Sequence, residues 1–479
     1  MTQSIILAEN TGSNTRKSGH GRQLLAAVNK HLATEKVSFH TPGHKGRLAL
    51  DIDSSTFACD LTEVPGLDEL ANPSGVLQNL QERIAKSFGA RQSFISTNGA
   101  SAALTAAILA CASRGKKILL PVNVHRSAIN ALVLSGLEPI WYEPEWLSNW
   151  NSWGATSAEI LKELIAKYEP ELACVLVCSP NYAGVLSDIA GIAAVCKSSN
   201  RPLIVDEAHG AHLSSASGYP ASALESGADL VVHSLHKTLT APTQTGLLHL
   251  GKNSSASAFE LQSALNLLQS SSPSYLFMLG IEQVLSDLEA GLAERANRLA
   301  SQLRSRMAEL REISFLQTQN RQDPLHILLN HRCFSANDFN QILQEKGIYS
   351  ETTLGNGVLL LLGLASNEVD LDLLLSALGA ISATGEAYEN AASKPVAAKQ
   401  VLSPRQAYFA ESITLKAEQA VGKIACDWVA PCPPGYAIVA PGQEISSESI
   451  KFLGDDTVIR VVKNYQPLEG DTDGPYTSS

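Results

Sequence analysis

The chain has 479 residues, 44% of them apolar and 17% charged, enough for two or three domains with cores of ordinary proportions. Its 36 Lys and Arg against 47 Asp and Glu give a formal net charge of −11, which argues against a nucleic-acid partner, and no apolar stretch reaches the ~20 residues that span a bilayer. Eight cysteines, most of them inside apolar runs, and an N-terminus without a basic region or a small-residue cleavage site fit a cytoplasmic protein with reduced thiols and no bound metal.

In chain order, residues 1–30 are expected to form an arm ahead of a large domain over 31–270. Within it, short aliphatic runs alternate with helical patterns. KKILLP (116–121), EPIWY (138–142), LACVLVC (172–178), PLIVDE (202–207) and ADLVVHS (228–234) are the predicted strands. Between them, segments such as 127–134 and 189–197 carry apolar residues at helical spacing. This alternation predicts an α/β fold with a mostly parallel sheet. SSSPS (270–274) leads into one long helical pattern through Leu310, which opens a smaller α/β domain over 271–382. The small, polar, Pro-containing stretch over 383–402 reads as a linker, and 403–479 as a C-terminal domain.

DEAHGAH (206–212) closes one predicted strand and HSLHK (233–237) the next. Ligands of open α/β sheets bind at the carboxyl ends of strands, so Asp206 and Lys237 are expected to converge on one crevice. A lysine amine for an imine, a carboxylate to keep a ring nitrogen protonated, and donors for a phosphate are the needs of a pyridoxal phosphate site. Singly, Asp206 is as well read as a helix cap and Lys237 as an exposed strand-end lysine. STNGASAAL (96–104) runs from turn residues into an Ala-rich helix, so Asn98, Gly99, Ala100 and Ser101 outline a phosphate cradle at a helix N-terminus. His125, between a strand and a helix, offers a ring that can stack on a pyridine face; without its context it reads as a capping or surface histidine.

Taken in order, FHTPGHKG (39–46), DLTEVPGLDEL (60–70), TNGAS (97–101), HRSAINAL (125–132), SPNYAG (179–184), DEAHGAH, HSLHK, SPSY (272–275) and PPGYAIVAPGQE (433–444) resemble the ornithine/lysine/arginine decarboxylase family. The resemblance runs from about residue 20 to the end of the chain. It implies an aspartate-aminotransferase-like large domain that binds pyridoxal 5′-phosphate, with Lys237 as its imine-forming lysine and Asp206 on the pyridinium nitrogen. His125 then stacks on the ring, Ser234 and His236 join Ala100 and Ser101 around the phosphate, and His209 lies on the phenolic-oxygen side. Larger members carry an aromatic residue at position 209 and often a hydroxyl at position 100, and they begin with a wing domain for which no room precedes His40. A homodimer, or a pair of such dimers, is the expected assembly.

The implied reaction is decarboxylation of a basic amino acid, with Lys237 or His236 returning a proton to Cα. Arginine is the favoured substrate, lysine the next and ornithine the third. Glu63, Asp68, Glu351 and Asp427 are acidic candidates for the distal cation, each read singly as a surface or capping acid, and Tyr436 is an aromatic one, read singly as a core tyrosine. Two rivals remain at this level: an aminotransferase or lyase on the same scaffold, using Arg332 or Arg405 as a carboxylate clamp, and a non-catalytic ligand sensor.

Overall fold

LACVLVC has no polar residue to place on a wet face, and a run of that kind folds most favourably as a strand covered on both sides. In the computed structural model it is an interior strand of the main sheet. The structure describes residues 37–39, 67–318, 322–381, 387–388, 394–430, 437–454 and 456–464. Its strands, in chain order, begin with β1 (Val37–Phe39), β2 (Gln92–Ser96), β3 (Lys117–Pro121), β4 (Glu138–Tyr142) and the short hairpin β5 (Trp146–Leu147) and β6 (Ser152–Trp153). They continue with β7 (Leu172–Cys178), β8 (Leu203–Asp206), β9 (Leu230–Ser234) and β10 (Gly246–Leu250). The main sheet has the order β2-β10-β9-β8-β7-β3-β4. Pairing is parallel from β4 across to β9, and β10 runs antiparallel to both its neighbours. All five predicted strands are present within a residue or two of their expected bounds.

The helices between them start and stop for local reasons. His125 caps the helix Arg126–Ser135, its ring accepting from Ser127 N, and Gly136 ends that helix at φ +77°. The Ala-rich helix Gly99–Cys111 buries Ala103, Ala106 and Ala107 completely, because small side chains let it lie close against the sheet. The expected single helix through Leu310 is two helices, Tyr275–Glu289 and Leu292–Met307. Gly291 lies between them at φ +79°, a left-handed conformation that no α-helix contains and that glycine adopts without strain.

A second sheet, β11 (Ile313–Phe315), β12 (His326–His331), β14 (Thr352–Leu354) and β15 (Gly357–Leu361), is antiparallel in the order β11-β12-β15-β14. β13 (Ile348–Ser350) pairs in parallel with β1. Further along, β16 (Ser412–Lys416) and β17 (Val458–Val462) form a two-stranded ribbon. Trp141 on the edge strand β4 donates to Gln400 Oε1 at 3.0 Å and so ties the late segment to the main sheet. No helix among the described residues is long and apolar enough to cross a membrane.

Candidate active site

β7 and β8 end in register, Cys178 beside Asp206, and β9 ends next to them at Ser234. A single turn of helix, Leu235–Thr238, then carries His236 and Lys237. At these ends lies a cavity of about 330 Å³. All ten residues singled out around a cofactor line it: Asn98, Gly99, Ala100, Ser101, His125, Asp206, His209, Ser234, His236 and Lys237. Asn123, Cys178, Tyr182 and Gln244 line it too and were given no role from the sequence. SPNYAG pointed at the right loop, but nothing in its spacing told Tyr182 from its neighbours.

The phosphate side is built from a pinned loop. Ser96 Oγ donates to Gly99 O at 2.8 Å, Asn98 Nδ2 to Leu268 O at 2.9 Å, and Gln244 Nε2 to Thr97 O at 3.0 Å. Gly246 lets β10 abut the loop, since a Cβ there would lie 2.5 Å from Ala100 N. The first-turn N–H groups of the helix lack intrahelical acceptors, and the helix dipole favours an anion there. Ser101 is exposed beside them, and Ser234 Oγ lies 3.3 Å from His236 Nδ1.

On the ring side, Asp206 takes a hydrogen bond from Ala208 N at 3.2 Å. Burial raises its pKa, and the Lys237 ammonium works against that rise. Burial conversely lowers the Lys237 amine, while Asp206 and Glu351 oppose the shift. A buried carboxylate short of donors is what a protonated pyridine would satisfy. His125 borders the open cavity yet has protein on its other sides; desolvation first, then the charges of Lys237 and Arg126, bring its pKa to about 4. It is therefore a neutral ring near pH 7, suited to stacking. Lys237 Nζ lies 2.8 Å from His209 Nε2. The donors, the carboxylate, the neutral ring and the buried amine together fit pyridoxal phosphate.

The acidic candidates part company. Tyr182, which lines the cavity, donates its hydroxyl to Glu351 Oε1 at 3.2 Å, so that carboxylate stands behind a lining residue. Asp68 is instead the cap of helix Val76–Phe88: its carboxylate accepts from Gly75 N at 2.6 Å and from Ser74 N and Leu77 N at 3.1 Å. Its backbone is held by Tyr275, whose hydroxyl donates to Asp68 O at 2.6 Å. Asp427 is taken by Arg460 through a bidentate pair of 2.7 and 2.9 Å. Glu63 and Tyr436 lie outside the described residues. Neither arginine considered as a clamp reaches the cavity: Arg332 pairs with Glu312 at 2.6 Å, and Arg405 caps the carbonyl of Leu134 at 2.9 Å.

Comparison with known proteins follows the same lines. Residues 23–326 match the family model described as Orn/Lys/Arg decarboxylase, major domain. The arginine decarboxylase of Bacillus subtilis is 29% identical over 460 residues, covering 91% of this chain and 94% of its own. A lysine decarboxylase of Pseudomonas aeruginosa is 26% identical over 301 residues, covering 56% of this chain and 40% of its own. In fold, the crystal structure of the Francisella novicida lysine decarboxylase superposes with a TM-score of 0.71 at 17% identity, over 95% of this chain and 80% of the other.

Proposed function

Since the chain belongs to the Orn/Lys/Arg decarboxylase family and is a pyridoxal-phosphate-dependent carboxy-lyase for basic amino acids, we propose that it converts arginine to agmatine, with lysine to cadaverine next and ornithine third. The observation that carries this reading is the convergence of Lys237, Asp206, His125 and the Ala100–Ser101 helix start on one cavity. When bound, pyridoxal phosphate supplies the electron-poor ring that accepts the electron pair left on Cα as carbon dioxide departs. Lys237 would hold the cofactor covalently, and Asp206 would keep its ring nitrogen protonated. His125 would stack its neutral ring on the cofactor and so orient it. Ser101, Ser234, His236 and the backbone N–H of Ala100 hold the phosphate. One carbon–carbon bond breaks and one proton is added at Cα, delivered by Lys237 or His236.

Glu351 is our candidate for the distal cation, supported by its hydrogen bond with Tyr182, which lines the cavity. A carboxylate backed by a phenol matches a planar guanidinium better than a point ammonium. The similarity to an arginine decarboxylase over nearly the full length of both chains points the same way. Placement in the cytoplasm, as a homodimer, is part of the proposal. The cytoplasmic placement is supported by Cys111, Cys174, Cys178, Cys196 and Cys426, none of them in a disulfide among the described residues. Incubation with arginine, lysine and ornithine separately, with the amine products identified, tests the function. Agmatine as the main product is the expected result. A tenfold preference for lysine, about 1.4 kcal/mol in the transition state, would overturn the substrate ranking, and absence of all three amines would overturn the reading itself.

A further inference from the structure

Behind Lys237 the cavity wall holds a line of buried groups that the proposed chemistry does not use. His209 Nε2 lies 2.8 Å from Lys237 Nζ, and His209 Nδ1 lies 3.1 Å from His326 Nε2. His326 Nδ1 lies 2.9 Å from Asp323 Oδ2 in a bent contact, and Asp323 Oδ1 takes His212 Nε2 at 2.9 Å and Leu325 N at 2.8 Å. His212, Asp323 and His326 have no measurable exposure. The line crosses between two parts of the fold, since His209 and His212 follow β8 whereas Asp323 and His326 sit at the start of β12.

We propose that Asp323, acting through His326, is a positioning residue that sets His209 as the proton acceptor of Lys237. The assignment follows from counting protons. An ionised Asp323 cannot approach a bare ring nitrogen at 2.9 Å, so His326 carries its proton on Nδ1 and leaves Nε2 as an acceptor. His209 then donates from Nδ1 to His326, and its Nε2 is left facing the lysine. Each contact then holds one proton; the His326 Nδ1–H meets Asp323 Oδ2 off its axis, at hydrogen-bond distance but without hydrogen-bond geometry. When the Lys237 ammonium gives up its proton, that proton lands on His209 Nε2; burial, the Lys237 charge and His326 hold this imidazole well below its ordinary range, and the Asp323 charge two groups away opposes them. The charge is secure: burial works to protonate Asp323, but the two imidazoles outweigh it and hold its carboxyl far below the ordinary range. Asp206, Glu351 and Cys178 also act on Lys237, and Glu207, Tyr219 and Arg304 on Asp323, so the test must separate a path through His209 from a field acting directly.

The proposal rests on Lys237 being the cofactor lysine, but its central readout is the amine itself. The full-length chain, stripped of cofactor, is trace-acetylated with acetic anhydride across a pH series, and the Lys237 peptide is quantified by mass spectrometry. In Asp323→Asn the midpoint for Lys237 acetylation is expected to rise by about one unit, a tenfold change in the neutral fraction, whereas loss of a field acting directly on the ammonium would lower it. In a His209→Gln background the same change is expected to move it by less than about 0.3 units, because the path is already cut. In the holoenzyme, Asp323→Asn is expected to lower kcat about tenfold and to leave KM within about twofold, the split of a group that acts after binding. Should Asp323→Asn not accumulate as folded protein, His326→Gln, which leaves Asp323 paired with His212, carries the same expectations. An unchanged or lowered midpoint, or an equal shift in the His209→Gln background, overturns the relay. Decarboxylation with normal borohydride labelling of Lys237 would still stand in that case, so the two readings fail separately.

Discussion

DEAHGAH feeds two lines of buried imidazoles that differ in how they end. On the cavity side, Lys237, His209 and His326 lead to Asp323. On the core side, Glu207 Oε2 lies 2.8 Å from His233 Nε2, His233 Nδ1 lies 3.1 Å from His249 Nε2, and His249 Nδ1 lies 2.7 Å from Ser93 Oγ. Asp323 receives two imidazoles and a backbone N–H, and it keeps its charge. Glu207 receives one backbone N–H, from Ala223 at 2.8 Å, and burial drives its carboxyl well above the ordinary range. Burial favours the neutral carboxyl, which can donate to His233 Nε2 at 2.8 Å, so the core-side line can run neutral from end to end. The number of donors, not depth alone, decides whether a buried carboxylate stays ionised. A charged line can bias a proton on a lysine, whereas a neutral one cements a sheet to its neighbours.

The comparison is broken most forcefully by Asp206→Asn, on the cavity side. Turnover is expected to fall about a thousandfold, on the order of 4 kcal/mol of lost transition-state stabilisation, with cofactor still bound. Near-normal turnover would remove Asp206 from the ring nitrogen. On the core side, Glu207→Ala leaves His233 without its partner, and denaturant titration is expected to show a loss of about 1–3 kcal/mol. Turnover of the remaining folded enzyme is expected within about twofold of the parent, since Glu207 touches no part of the cavity. A thousandfold loss there would mean that the two lines are not separate.

A smaller effect sharpens the contrast through pH. Burial brings the folded pKa of His233 to about 3, so below pH 6.5 the unfolded chain takes a proton there that the folded chain refuses. Glu207 has the opposite sign: its folded pKa is raised, so above pH 4.5 the unfolded chain gives up a proton that the folded chain keeps. Between these values the two effects cancel. Above pH 6.5 the pair costs stability at up to about 1.4 kcal/mol per pH unit. Glu207→Gln is expected to abolish this alkaline slope, read as the pH dependence of the denaturant midpoint. A slope of the same size in the variant would show that Glu207 is ionised after all.

Much of the fold was legible because β3, β7, β8 and β9 are buried along nearly their whole length, and continuous aliphatic runs need no knowledge of their partners. That Asp206 and Lys237 line one cavity was legible because a strand end is a local feature and open sheets put ligands there. The helix break at Gly291 was missed because apolar spacing continues through it. For Asp68 the sequence left capping and cation binding both open, because an acid in a Gly-containing loop carries no mark that separates them, and the structure shows it accepting from the N–H groups at the start of a helix. Asp323 and His326 had no local signal at all. They stand more than a hundred residues from His209 and His212, and only the docking of β12 beside the loop after β8 brings the four together.

Borohydride reduction of the holoenzyme, followed by peptide mapping, tests the central claim most directly. The visible absorbance of the bound cofactor is expected to disappear, with the reduced pyridoxyl group on Lys237. The same group on Lys252, Lys423 or any other lysine, with Lys237 unmodified, would contradict the account.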